Sequence, residues 1–120
     1  MAITEFFAGI PVTNFESSLA WYEQLWGREP DFFPEPGEAV WQLNEHGWVY
    51  LVTDSDRAGH GLITLLVDDL EAQIADLQSR GIDTGAVQEM GPSVPGIVVT
   101  DTEGNRITFG QPPAEPDAGQ

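Results

Sequence analysis

From Ile3 to Val12 the chain alternates: Phe6, Ala8, Ile10 and Val12 fall on one face, and Glu5, Phe7, Gly9 and Pro11 on the other. That period of two predicts a strand with two distinct faces. The period then changes. Phe15, Leu19, Tyr22 and Trp26 recur at i, i+4, i+7 and i+11, which makes one apolar stripe along a helix. Asn14 is placed to cap that helix and Gly27 to end it in a left-handed turn. Beyond it, Glu29 to Phe33, Val40 to Leu43 and Trp48 to Val52 read as short strands. The turn-rich stretches Pro34-Glu35-Pro36-Gly37 and Asn44-Glu45-His46-Gly47 separate them. The first half is therefore βαβββ.

After a short polar linker, Asp54 to Gly59, the pattern returns. Leu62 to Val67 predicts a strand, Asp69 a helix cap, and Leu70, Ile74 and Leu77 a helical stripe that Gly81 terminates. Val12 answers Val67, Asn14 answers Asp69, Phe15 answers Leu70 and Leu19 answers Ile74, a constant offset of 55 residues (67 − 12). Ala86 to Met90, Ile97 to Val99 and Arg106 to Phe109 complete the second unit. The expected architecture is α+β: a single domain over residues 1–110, made of tandem βαβββ modules (3–53 and 60–110) whose strands form a cup-shaped sheet. The closing PPAEPDAGQ has no apolar period, so 111–120 is expected to be a disordered tail.

Charge narrows the partners. Twenty Asp and Glu stand against four Lys and Arg, a formal net charge of -16 and a pI near 4.1. Such a polyanion neither neutralises phosphates nor displaces their counterions, so nucleic acid and anionic membrane are excluded as partners, while cationic small molecules are attracted. The same acidity equally serves solubility. Cysteine is absent, which removes disulfides, thiolate metal sites and a cysteine nucleophile. No apolar run reaches membrane-spanning length and the first residues lack a signal peptide's regions, so the expected location is cytoplasmic. No glycine-rich phosphate loop or Gly-x-Ser-x-Gly occurs.

Three stretches carry a resemblance: Ile10-Pro-Val-Thr-Asn-Phe-Glu-Ser-Ser-Leu-Ala-Trp-Tyr-Glu-Gln-Leu-Trp-Gly27, Val67-Asp-Asp-Leu70, and Val99-Thr-Asp-Thr-Glu-Gly-Asn-Arg-Ile-Thr-Phe109. In this order they resemble the glyoxalase, bleomycin-resistance and extradiol-dioxygenase superfamily, the vicinal oxygen chelate proteins, over residues 3–110. Thr102 departs from a more usual proline and affects only a turn. The resemblance implies two βαβββ modules curled into a cup, commonly completed by a homodimer. In metal-dependent members, His, Gln or Glu from the first and last strand of each module hold a divalent ion. Carried onto this chain, those positions are Phe7, Tyr50, Leu62 and Thr108. Phenyl and isobutyl groups offer no lone pair, and a phenol and a hydroxyl do not by themselves hold an open-site metal. No metal and no other cofactor is expected.

Strand alternation places Phe7, Trp48 and Tyr50 on the cup face, a surface that stacks planar rings and attracts cations, or else simply fills the cup. Trp41 fits either face. Glu5 is the carboxylate nearest that lining, as a counter-charge, a base or a solvated strand end. His60 shares the face of Leu62 and Thr64, as a ligand contact, a base or a solvated linker residue. His46 reads as an exposed turn residue. Arg106 either binds a ligand carboxylate or pairs with a local acid. The expected function is a metal-independent small-molecule binding protein of the bleomycin-resistance type, a homodimer sequestering an aromatic, cationic ligand. The alternative is an enzyme of the same superfamily that uses unrecognised metal ligands or a metal-free acid/base site.

Overall fold

Each half of the chain lays one helix against one face of its own small sheet. The computed structural model describes residues 2–113. The first module comprises β1 (Phe6–Val12), α1 (Phe15–Trp26), β2 (Glu38–Gln42) and β3 (Gly47–Thr53). The second comprises β4 (Leu62–Leu66), α2 (Leu70–Ser79), β5 (Gln88–Gly91), β6 (Val94–Thr100) and β7 (Arg106–Gly110). The sheet orders are β1-β3-β2 and β4-β7-β6-β5, with the first and last strands of each module parallel and the remaining pairs antiparallel. The result is the tandem α+β architecture that the repeat predicts.

The strand expected over Glu29 to Phe33 does not form. Only an isolated bridge joins Phe32 to Val40. Pro30 inside the segment and Pro34 just after it lack the N–H a ladder needs. The Asp31 carboxylate instead takes the Gln42 N–H at 2.7 Å and the Arg28 guanidinium at 3.1 Å.

Both helix starts are capped locally: Asn14 accepts from the Ser17 N–H and Asp69 from the Ala72 N–H. Gly27, at φ 77°, turns the chain out of α1 while its N–H bonds the Glu23 carbonyl. One hydrophobic core runs through both modules, with Ile10, Tyr22, Trp41 and Leu51 from the first and Leu77, Ile97 and Ile107 from the second. Trp41 lies wholly on this side, its indole N–H donating to the Arg28 carbonyl at 3.1 Å.

Polar contacts lock the modules together. Glu103 accepts the N–H groups of Thr13 and Asn14 at 2.6 and 2.7 Å, so a carboxylate of the second module sits at the N-terminus of α1. The Asn105 amide donates to the Pro11 carbonyl, and the buried Tyr22 hydroxyl donates to Asp101 at 2.7 Å. Burial first, then the Asp101 charge, push the Tyr22 phenol far up from its ordinary value. Arg80 closes the joint from the other end, donating to the carbonyls of Gln24 and Leu25. Gln111, expected in the tail, is tied down: its N–H bonds the Pro95 carbonyl and its side chain accepts from the Leu70 N–H. The tail expectation for 114–120 falls outside the described residues. Among the described residues, no helix is long and apolar enough to cross a membrane.

Candidate functional site

Alternation in the first sheet sends Ile10, Val49 and Leu51 into the core and leaves Phe7, Trp48 and Tyr50 on the opposite face. Register makes Phe7 and Trp48 direct cross-strand partners. Their rings stack at 5.3 Å between centroids with 18° between planes. Phe32, read as part of a strand, instead brings its ring edge-on to Trp48 at 6.2 Å. Phe7 remains 52% exposed, so this platform is open to a ligand. Tyr50 pairs with Gly9, and its phenol lies where a Cβ would be: such an atom would sit 2.8 Å from the phenol carbon and hydroxyl oxygen. Glycine at this position lets the ring lie flat on β1.

Glu5 stands at the rim of the platform, one residue ahead of β1. One carboxylate oxygen accepts the Trp48 indole N–H at 2.7 Å, and the other lies 3.1 Å from His46 Nδ1. These two hydrogen bonds, that of Trp48 first, hold the Glu5 carboxyl below its ordinary value of 4.5. His46 is thus not a bystander in its turn; its other ring nitrogen is 3.6 Å from Glu45. The signal for this was the parallel register, because pairing Phe6 with Gly47 sets residue 5 beside residue 46.

The second sheet presents a different face. Ile63, Leu65, Ile107 and Phe109 turn inward, leaving Leu62, Thr64, Arg106 and Thr108 outward, with Leu62 77% exposed. No local acid pairs with Arg106: among the described residues, the ion-paired arginines are Arg28, Arg57 and Arg80, with Asp31, Asp54 and Asp76. His60 is exposed in the linker, its N–H bonded to the Arg57 carbonyl, and contributes nothing to the platform. A cleft of about 290 Å³ joins the sheets, with Phe6, Ala8 and Trp48 on one wall and Leu62 and Thr64 on the other.

Phe7 and Tyr50 lie diagonally across β1 and β3, and Leu62 and Thr108 diagonally across β4 and β7. These side chains do not fit a divalent ion, since two of them lack any lone pair. Among the described residues, no group of three His, Asp or Glu comes together to hold one.

Two tandem modules, βαββ and βαβββ, each with a helix on one sheet face and the other face open, define the vicinal oxygen chelate class. Within it, this chain belongs to the glyoxalase/bleomycin resistance protein family. It is 38% identical to a glyoxalase/bleomycin resistance protein from Catenulispora acidiphila, with a TM-score of 0.85 over 92% of this chain and 100% of that one. An antibiotic-binding protein from a Streptomyces species is similar at 23% identity and TM-score 0.75, over 93% of this chain and 98% of that one. A lactoylglutathione lyase from Agrobacterium tumefaciens is similar at 12% identity and TM-score 0.73, over 92% of each chain. At such identities the last two share the fold alone. No family model and no curated protein matches the chain.

Proposed function

We propose that this protein binds a planar aromatic, positively charged small molecule on the Phe7–Trp48–Phe32 platform without a divalent metal. The observation that carries this reading is the exposed, stacked Phe7–Trp48 pair with the Glu5 carboxylate hydrogen-bonded at its rim. Stacked rings offer π faces to a planar cation, and a carboxylate has lone pairs beyond those that Trp48 and His46 engage. The net charge of -16 raises the local concentration of cations. That an antibiotic-binding protein has the same fold supports a small-molecule binding role.

Titrating the protein with proflavine, a planar cation, tests the reading. Trp48→Ala removes a stacking partner worth about 1 kcal/mol or slightly more, so affinity falls roughly fivefold to tenfold while the melting temperature changes little. Added salt weakens proflavine but spares a neutral aromatic, and chelator leaves the melting temperature unchanged. Affinity indifferent to both Trp48→Ala and Tyr50→Ala, or one equivalent of tightly held metal, overturns the reading.

A further inference from the structure

We infer that the outward face of the second sheet is a carboxylate-binding site centred on Arg106, so that the ligand of the aromatic platform carries a carboxylate as well. This rests on the platform reading and extends it to the opposite end of the ligand. Register sets the rows of the site: Leu62, Arg106 and Thr100 stand side by side across β4, β7 and β6, and Thr64, Thr108 and Val98 form the next row. Arg106 therefore has Thr100 opposite it and Thr108 two residues along the same face.

Two independent features mark this face. The outward residues of β4, β6 and β7 include no Asp or Glu, in a chain that has 20 of them. The arginines elsewhere among the described residues are each held by an aspartate, and Arg106 is not. Moreover, the described threonine hydroxyls with an intramolecular partner are those of Thr53 and Thr84, which leaves Thr64, Thr100 and Thr108 free to donate. A planar guanidinium matches a carboxylate with two parallel N–H···O bonds, and flanking hydroxyls supply further donors.

The face is within reach of the platform. Leu62 and Thr64 share the cleft with Trp48, and Arg106 lies one strand further, about 4.8 Å from Leu62. The net negative charge of the chain opposes a carboxylate at long range; screening beyond about 8 Å at physiological salt weakens that opposition, and the direct Arg106 contact offsets it. An aromatic ligand with a positive group towards Glu5 and a carboxylate towards Arg106 satisfies both walls.

The test uses three probes with one aromatic body, 2-naphthylacetate, 2-(2-naphthyl)ethanol and 2-(2-naphthyl)ethylamine, titrated into the unsubstituted chain, Arg106→Gln, Trp48→Ala and Tyr50→Ala. Wild type binds naphthylacetate about tenfold tighter than naphthylethanol, and Arg106→Gln removes that preference without changing affinity for the alcohol. Arg106→Lys restores part of it. A carboxylate preference absent in wild type, or surviving Arg106→Gln, overturns the inference. So does a shift in self-association on Arg106→Gln with probe affinities unchanged, which makes the partner of Arg106 a second copy of the chain. Alcohol affinity insensitive to both Trp48→Ala and Tyr50→Ala removes the platform reading and leaves the Arg106 result standing on its own. If no naphthyl probe binds, the platform reading falls, and acetate decides the other: a shift of the Arg106 Nε–Hε resonance supports the site, and no shift overturns it.

Discussion

A methyl group added at Gly9 would meet only the far end of the Tyr50 side chain, whereas one at Gly96 would lie 2.5 Å from Met90 Cγ and 2.7 Å from the Phe109 carbonyl oxygen. A phenol can swing away; a ladder carbonyl cannot. Gly96→Ala should therefore destabilise the protein by about 1–3 kcal/mol in urea unfolding. Gly9→Ala should stay near neutral, since the roughly 0.5–1 kcal/mol gained by replacing a strand glycine offsets the ring's displacement. Equal losses at the two positions would contradict this account. Glu5 gives a second prediction at this scale. Its carboxyl titrates below 4.5 in the folded protein, so the unfolded chain binds that proton more readily. The stabilising contribution is complete above the ordinary value and is lost as pH falls through the lowered one. The difference in emission between wild type and Trp48→Phe should accordingly titrate with a midpoint below 4.5, and Glu5→Gln should abolish the step. A midpoint at or above that value would show that the Trp48 hydrogen bond does not hold the carboxylate.

Helix α1 receives a side-chain cap from Asn14 and a carboxylate from Glu103, about 90 residues further along the chain. Replacing Glu103 by Ala leaves the N–H groups of Thr13 and Asn14 without that partner. The expected loss is about 0.5–2 kcal/mol, and Asn14→Ala should cost a similar amount. Measuring the double variant tells whether the caps are independent; the sum of the single losses is expected if they are. The local cap was legible in the sequence because it spans three residues, and so were the strand faces and the repeat, because period and offset are local signals. Glu103 was not legible as a cap, since the N–H groups that donate to it come from the other module. The 29–33 segment reads as a strand because Phe32 and Phe33 look like strand residues, while Pro30, Pro34 and the Asp31 side chain decide against a ladder. His46 and Arg106 share a further difficulty. What distinguishes them is the presence or absence of a carboxylate brought by pairing, which the composition of so acidic a chain hides.

The described molecule spreads over 49 × 40 × 25 Å with a radius of gyration of 15.3 Å, against roughly 13.6 Å for a compact chain of this length. The extension has a consequence for its surface. The outer face of the second sheet leaves Leu62 77% and Leu66 65% exposed, and Phe33 is 56% exposed, apolar side chains of the kind that mark an interaction surface when they lie together. A second copy is the partner we propose for it, because a two-fold arrangement would cover the same patch on both subunits at once. Charge opposes that pairing, as each chain brings -16. Apolar burial is unaffected by screening of that repulsion, so salt should tighten the dimer. Sedimentation velocity at micromolar concentration should show a dimer of 13.1 kDa subunits, with a dissociation constant that falls as NaCl rises from about 0.05 to about 0.5 M. Leu62→Asp should shift the population to monomer with the circular dichroism spectrum retained, because that side chain lies outside the core. A chain that stays monomeric at the higher salt would remove the second copy from this face, and a dimer that loosens as salt is added would show that ion pairs, and not this apolar patch, hold it.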